Sequence, residues 1–276
     1  MSLALDDLKN FITVTETLNV TRASEILGMT QPALSYSLKR LEREFGTELF
    51  IRLKNGVQLT KTGEEFYARA KKLILLWEDS KKIFKDDTDS EAEFSIGIHP
   101  SVGLYSLDKF LPQIFDIYPG LSFKLVHGLS REMANRVINW EVDFAIVINP
   151  IQHPDLVIKE LGKDTVTLFS TEEPKPKLIY DPALAQSVFI LKNLTKAKIE
   201  LRGHIHSGSL EVIAKLASQG LGYALLPSRV AASYPKLKSV ANAPKFNDKI
   251  CLVYRREKHS NSISQEILKA IREALI

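Results

Sequence analysis

The sequence predicts an α+β chain of several domains: a winged helix-turn-helix, a long linker helix and a C-terminal α/β region. Three observations carry this expectation. Residues 20–60 hold two short helical patterns on either side of Gly28, then two alternating segments about Asn55-Gly56. Residues 61–85 keep one apolar seam at helical spacing. From residue 94 onward, apolar runs alternate with amphipathic ones, strand then helix.

Residues 5–18 read as the first helix, with Leu8, Phe11, Ile12 and Leu18 toward a core. Thr21 is placed to cap the second helix, because a hydroxyl accepts a bond from an otherwise orphan amide. Ala23, Ile26 and Leu27 give that helix an apolar face, and Gly28 ends it where a left-handed residue is needed. Thr30 caps a third helix with Pro32 in its first turn, where a missing N–H does no harm. Leu34, Leu38, Leu41 and Phe45 form its buried stripe. The opposite face carries Gln31, Pro32, Ser35, Tyr36, Lys39 and Arg43. Such a face mixes amide, hydroxyl and cationic groups that reach base edges and phosphates together.

Phe50-Ile51-Arg52 and Val57-Gln58-Leu59 alternate about Asn55-Gly56, a strong hairpin-turn signal, with Arg52, Lys54 and Lys61 projecting. Over residues 30–61, Lys39, Arg40, Arg43, Arg52, Lys54 and Lys61 stand against Glu42, Glu44 and Glu48, a modest surplus. A plain three-helix packing module would show the same leucine stripe. The polar face, the hairpin and the basic tips together point to DNA.

Thr60 caps the linker helix, which runs to about residue 85 and carries Phe66, Ala70, Leu73, Ile74, Trp77 and Phe84 on one side. A helix this apolar on one face does not stand alone in water. It packs on its own domain or pairs with its twin in a dimer. Residues 86–93 are acidic and read as a hinge. Beyond them, strands are expected at 94–98, 121–127, 143–148, 156–161, 165–170 and 250–254. Helices are expected at 104–118, 131–140, 209–219 and 262–275. Gly220 and Gly222 lack a third glycine and follow a helix, so they do not form a dinucleotide site.

Composition bounds the rest. The chain has 276 residues, net charge +4 and pI near 8.9, compatible with an anionic partner. Cys251 is the single cysteine, so no internal disulfide forms. No run is long enough to span a membrane, and Asp6, Asp7 and Lys9 interrupt any secretory pattern, so a reduced, cytoplasmic protein is expected. The six histidines show no ligand spacing, and neither metal nor cofactor is expected. No Ser/His/Asp order and no paired carboxylates lie at the predicted strand ends, so no enzyme is expected.

Residues 5–72 closely resemble the winged helix-turn-helix of LysR-type transcriptional regulators. The motifs are Thr-Arg-Ala-Ser-Glu-Ile-Leu from 21, Thr-Gln-Pro-Ala-Leu-Ser from 30, Leu-Lys-Arg-Leu-Glu from 38, Leu-Phe-Ile-Arg from 49 and Leu-Thr-Lys-Thr-Gly from 59. A weaker resemblance continues to the C-terminus. It rests on Ile96-Gly97 with Ser101, Tyr118-Pro119-Gly120, Gly128 with Ser130, and Gly-Leu-Gly-x-Ala-Leu-Leu-Pro from 220.

The resemblance implies a DNA-binding domain at 1–60, a linker and dimerisation helix at 61–86, a hinge at 87–93 and an effector-binding domain at 94–276. That last domain would resemble periplasmic binding proteins, with lobe I at about 94–163 and 244–276 and lobe II at about 164–243. Gln31, Ser35, Tyr36 and Lys39 would read bases beside Thr30 and Pro32, while Thr21, Arg22, Arg52 and Lys54 would engage phosphates. Phe66, Ala70, Leu73 and Trp77 would form the seam of a homodimer or homotetramer on double-stranded operator DNA.

In open α/β folds, ligands sit beyond strand ends, near helix N-termini. Ser101, Val102, Ser130 and Asn149 from one lobe, and His206, Ser207 and Ser209 from the other, would hold a small effector, an anion such as a carboxylate. Each serine alone would be an ordinary helix cap. Three departures stand out. Tyr36 occupies a position where many relatives carry arginine, Leu129 one where members often place a hydroxyl, and residues 189–206 are shorter than usual, leaving lobe II shortened. The alternative is a small-molecule sensor without direct transcriptional control, or a regulator with a degenerate effector site.

Overall fold

The computed structural model describes residues 5–54, 56–82, 92–194, 199–257 and 262–275, and the chain divides after Asp86 into two units. The first is a helical head: α1 (Leu5–Thr17), α2 (Val20–Ile26), α3 (Gln31–Phe45), strands β1 (Phe50–Leu53) and β2 (Gly56–Leu59), then α4 (Lys61–Lys82). Phe11 is fully buried at its centre, with the rings of Phe50 and Phe66 at 5.2 and 5.1 Å. Leu8, Val14, Ala23, Leu34, Leu38 and Leu41 close around it.

Four local expectations are corrected in the head. Leu18 ends α1 at φ 50, so the chain reverses one step early and Asn19 takes the capping position. Its Oδ1 accepts from the Arg22 amide at 3.0 Å, which leaves Thr21 inside the first turn. Leu18 itself is 49% exposed rather than core, and Ile26 is 63% exposed. The wing turns one residue before the Asn55-Gly56 signal. Leu53 pairs with Gly56, so Gly56 already belongs to β2, and Asn55 lies outside the described residues. Phe45 stays partly exposed, its ring 4.9 Å from that of Phe66.

Other signals are realised as read. Gly28 sits at φ 62, and Thr30 Oγ1 accepts from the Ala33 amide to start α3. Thr60 Oγ1 accepts from the Gly63 amide at 2.9 Å and donates to the Glu48 carbonyl at 2.9 Å, tying the start of α4 to the segment that leads into β1. The wing is fastened at its other edge, where the Val57 amide donates to the Leu18 carbonyl at 3.1 Å. In α4, Ala70 is fully buried and Phe66 and Ile74 pack on the head's own core, so the expected seam is divided. Leu73, Leu76 and Trp77 remain exposed. Phe84 and residues 86–91 of the expected hinge lie outside the described residues.

The second unit is a sheet with helices on both faces. Its first half has β3 (Glu93–Ile98), α5 (Pro100–Ile117), β4 (Ser122–His127), α6 (Ser130–Ile138) and β5 (Phe144–Ile148). The chain then crosses on β6 (Leu156–Ser170) into β7 (Leu178–Tyr180), α7 (Ala185–Asn193), β8 (His204–His206), α8 (Leu210–Ser218), β9 (Tyr223–Pro227), α9 (Ser228–Ala232) and β10 (Lys238–Ser239). It returns on β11 (Phe246–Arg255) and ends in α10 (Ser262–Leu275). Among the described residues the sheet runs β4-β3-β5-β11-β6-β9-β7-β8, with β10 beside β6.

Parallel pairs fill each half, and only β6 and β11 run against them. The two strands expected at 156–161 and 165–170 are one, carried through 162–164 by its pairing with β11. The register slips between Ile250 and Cys251, leaving Leu161 as an extra residue on β6. Segment 189–206 is also corrected. It opens inside α7, whose buried Ile190 packs with Leu178 and Leu225. No side chain caps α7, and Val188 and Phe189 point outward, so its sequence carries neither a cap nor a clean apolar stripe. Among the described residues, no helix is long and apolar enough to cross a membrane.

Gly63 is held by close approach: a Cβ there would overlap the Leu49 carbonyl. Gly63→Ala is expected to destabilise the head by about 1–3 kcal/mol, by forcing α4 from the wing, read as a lowered unfolding midpoint. An unchanged midpoint would refute the constraint.

Candidate functional site

Two arrangements of side chains have functional geometry, one in each unit. In the head, a concave surface of about 860 Å³ opens between α3 and the wing. It brings together Thr21, Gln31, Ser35, Lys39, Arg52 and Lys54 of the residues expected at DNA. Arg22, Thr30, Pro32 and Tyr36 are exposed on the head but do not line it. Asn19 and Glu42 join the lining and were missed. Glu42 Oε1 accepts from the Leu49 and Phe50 amides at 2.9 and 3.2 Å, fixing where β1 begins.

What sets the angle of α3 is a buried polar network against α1. Asp7 is 3% exposed and accepts from Ser37 Oγ at 2.6 Å and from Arg40 Nε and Nη2 at 2.9 and 2.6 Å. Asn10 Nδ2 donates to Ser37 Oγ at 2.9 Å. A bidentate guanidinium–carboxylate pair has a fixed plane, so it orients α3 as well as holding it. Arg40, counted in the basic surplus of this region, is thereby paired with Asp7, although its side chain stays half exposed.

In the second unit, a cavity of about 640 Å³ lies between the two halves of the sheet. Ser101, Val102, Ser130 and Asn149 line it, as the sequence reading expected of an effector site. His206 and Ser207 do not. The His206 ring stacks on His204 at 4.4 Å and meets Tyr180 edge-on at 4.7 Å, and Ser207 Oγ accepts from the Ser209 amide at 3.1 Å. Both stand on or just after β8, at the end of the sheet order and away from the crossing strands, so their placement at the effector is corrected.

The floor of this cavity was not foreseen. Asp164 on β6 and Asp248 on β11 are partners in the strand register, and both line the cavity. Burial pushes the Asp248 carboxyl up to about 6, against hydrogen bonds from Gln186 Nε2 at 2.9 Å and Asn149 Nδ2 at 2.7 Å. The charge of Asp164 pushes in the same direction. Burial raises Asp164 too, opposed by the Thr165 and Arg229 amides. Burial raises the nearby Tyr105 phenol as well, and lowers His99 toward its neutral form. The Ser101 hydroxyl is buried in the wall and faces the Glu211 carboxylate, whose pKa it helps to lower against the opposing effect of burial. Among the described residues, no group of three or more His, Cys, Asp or Glu side chains is placed to hold a metal ion.

Comparison with known proteins agrees in both units. The family described as "LysR substrate binding domain" matches residues 88–276, and "Bacterial regulatory helix-turn-helix protein, lysR family" matches residues 5–64. The HTH-type transcriptional regulator GltR of Bacillus subtilis is 25% identical over 241 residues, covering 83% of this chain and 81% of that protein. The regulator YofA of Bacillus velezensis is 23% identical over 278 residues, covering 96% of each. The crystal structure of full-length CbnR complexed with its target DNA is 18% identical, with a TM-score of 0.70 over 99% of this chain and 100% of that one.

Two outcomes follow. Asp7→Asn removes the charge that aligns α3 while touching no outward residue, so operator affinity should fall several-fold with the head still folded by circular dichroism. The Asp248 carboxyl titrates near 6 when folded and near 3.9 when unfolded. Between those values the folded chain holds a proton that the unfolded chain has released, so this group adds stability as pH falls from about 7 to about 5. Asp248→Asn is expected to raise the unfolding midpoint at neutral pH and to shrink that gain on acidification, both read by thermal unfolding.

Proposed function

Because the chain belongs to the LysR family of DNA-binding transcriptional regulators, we propose that α3 enters a major groove while the wing follows the adjacent backbone. The observation that carries this reading is the concave face on which Gln31, Ser35 and Lys39 of α3 oppose Arg52 and Lys54 of the wing. Amide and hydroxyl groups on the helix suit base edges, and flexible cations on the hairpin suit phosphates. Tyr36, exposed on the same helix, adds an aromatic edge to the readout. Arg22 and Thr21 at the start of α2 supply further phosphate contacts.

The reading includes a dimer. Leu73, Leu76 and Trp77 recur at helical spacing on α4 and stay exposed, a short apolar stripe suited to the twin helix of a second copy. Two heads then address two half-sites, and pairs of dimers bind longer operators. The cavity between the lobes holds a small effector, whose binding changes how the lobes close and so biases the dimer toward one mode of DNA engagement. Such a regulator works in the cytoplasm and turns over no substrate.

Footprinting on DNA flanking the protein's own gene should reveal a protected dyad. On that operator, Gln31→Ala is expected to cost about 1–3 kcal/mol and to relax base preference at one position. Arg52→Ala should weaken all sequences alike and lower the salt slope by about one. Unchanged affinity for both variants at controlled salt would overturn the interface. Leu73→Glu with Leu76→Glu should shift the sedimentation of the full chain toward monomer, and a dimer that persists would place the seam elsewhere.

A further inference from the structure

The cavity assigned above to an effector carries, on its floor, a charge arrangement that selects among ligand classes, and the inference rests on that assignment. Asp164 and Asp248 stand opposite one another on the antiparallel strands β6 and β11. Directly paired residues project from the same face with Cβ atoms about 4.5–5.5 Å apart, and like charges so placed repel. The two are only 8% and 2% exposed, so water screens that repulsion poorly. A fold that keeps two such groups together retains a local conflict, and such conflicts gather at functional positions.

Their present partners do not neutralise them. Asp248 is held by the neutral amides of Gln186 and Asn149. Asp164 receives the backbone amides of Thr165 and Arg229. The Arg229 guanidinium attracts Asp164, but its own contacts are the Lys163 carbonyl at 3.5 Å and the Tyr105 ring at 5.5 Å. Arg229 thus acts on Asp164, while Asp248 keeps only neutral amide donors. Above the pair the walls are apolar, with Val102, Leu184, Leu225 and Val230 among them. In that wall Ser101, 2% exposed, turns its hydroxyl to the Glu211 carboxylate and helps to hold its pKa down, so a third acidic group stands behind the cavity wall.

We propose that the effector is an organic cation, an ammonium or amidinium head seated between Asp164 and Asp248 with an apolar body against the cavity walls. A planar, forked donor matches two neighbouring carboxylates geometrically, and an ammonium matches them by charge. An anion would meet both charges, and the one arginine lining the cavity among the described residues, Arg131, stands at the start of α6 rather than on the strands that carry the pair. A bare metal ion finds amide N–H groups beside the carboxylates where it needs further oxygen ligands. The cation also removes a repulsion between the two strands that join the lobes. Occupancy and lobe geometry are therefore coupled through the same pair.

The test uses the full chain with matched probes: benzamidinium and phenethylammonium as cations, benzoate and phenylacetate as anions, benzamide and phenylacetamide as neutral isosteres. Calorimetric titration should show the cations binding about tenfold or more tighter than either isostere, with a raised unfolding midpoint, and Asp248→Asn should erase that preference. Should Asp164→Asn also fold, it should do the same. Equal or tighter binding of the anions or amides, or a cation preference that survives Asp248→Asn, would overturn the proposal. So would the absence of any binding at about millimolar probe. Leu184→Trp, which fills the cavity from its wall, separates the two levels of inference. Anion or amide binding lost in that variant rejects the cation and keeps the effector cavity, whereas probe binding that persists in it rejects the cavity as well.

Discussion

From Leu156 to Val166, β6 is paired with β11 along its length except at the bulged Leu161, and both lobes of the effector unit hang from this antiparallel pair. On one side β11 pairs with β5 and leads into the parallel strands of lobe I. On the other, β6 pairs with β9 and leads into those of lobe II. Parallel strands need long crossovers, and α5, α6, α7 and α8 supply the covering layers that follow. The cavity exists because two separate cores form around one shared seam. Any relative movement of the lobes must pass through this seam, and the slip at Leu161 gives it a defined place to bend.

Buried carboxylates divide the two units by role. In the head, Asp7 is saturated: a guanidinium takes both oxygens and a serine hydroxyl adds a third bond. That carboxylate is structural, and it holds α3 against α1. In the effector unit, Asp164 and Asp248 have neutral or backbone donors and face open volume. The distinction between a group that holds the fold and one that waits for a ligand is thus a count of its charged partners.

The head was largely legible because its signals are local. A glycine at the αL end of α2, a threonine before Pro32 and a leucine stripe act within a few residues, and each appears where the sequence places it. The misses there come from long-range contacts. Asn19 displaces Thr21 as the cap because Leu18 turns to accept a bond from the wing, and the hairpin turns early because Gly56 is drawn against that same carbonyl. Phe66 and Ala70 have the spacing of a dimer seam, yet Phe11 and its neighbours claim them first. Periodicity reports which residues share a face, not which partner meets that face.

The sequence by itself determined the order and kind of most elements, the helix-turn-helix and its outward polar face, and the family to which the chain is assigned. These depend on short-range periodicity, caps and breakers, which one chain displays without reference to its fold. Only the tertiary structure decided that Arg40 belongs to Asp7, that His206 and Ser207 stand apart from the cavity, and that Asp164 meets Asp248 across its floor. Each of those facts joins residues far apart in sequence. Their juxtaposition is set by strand register and helix packing, which no local pattern of residue types encodes.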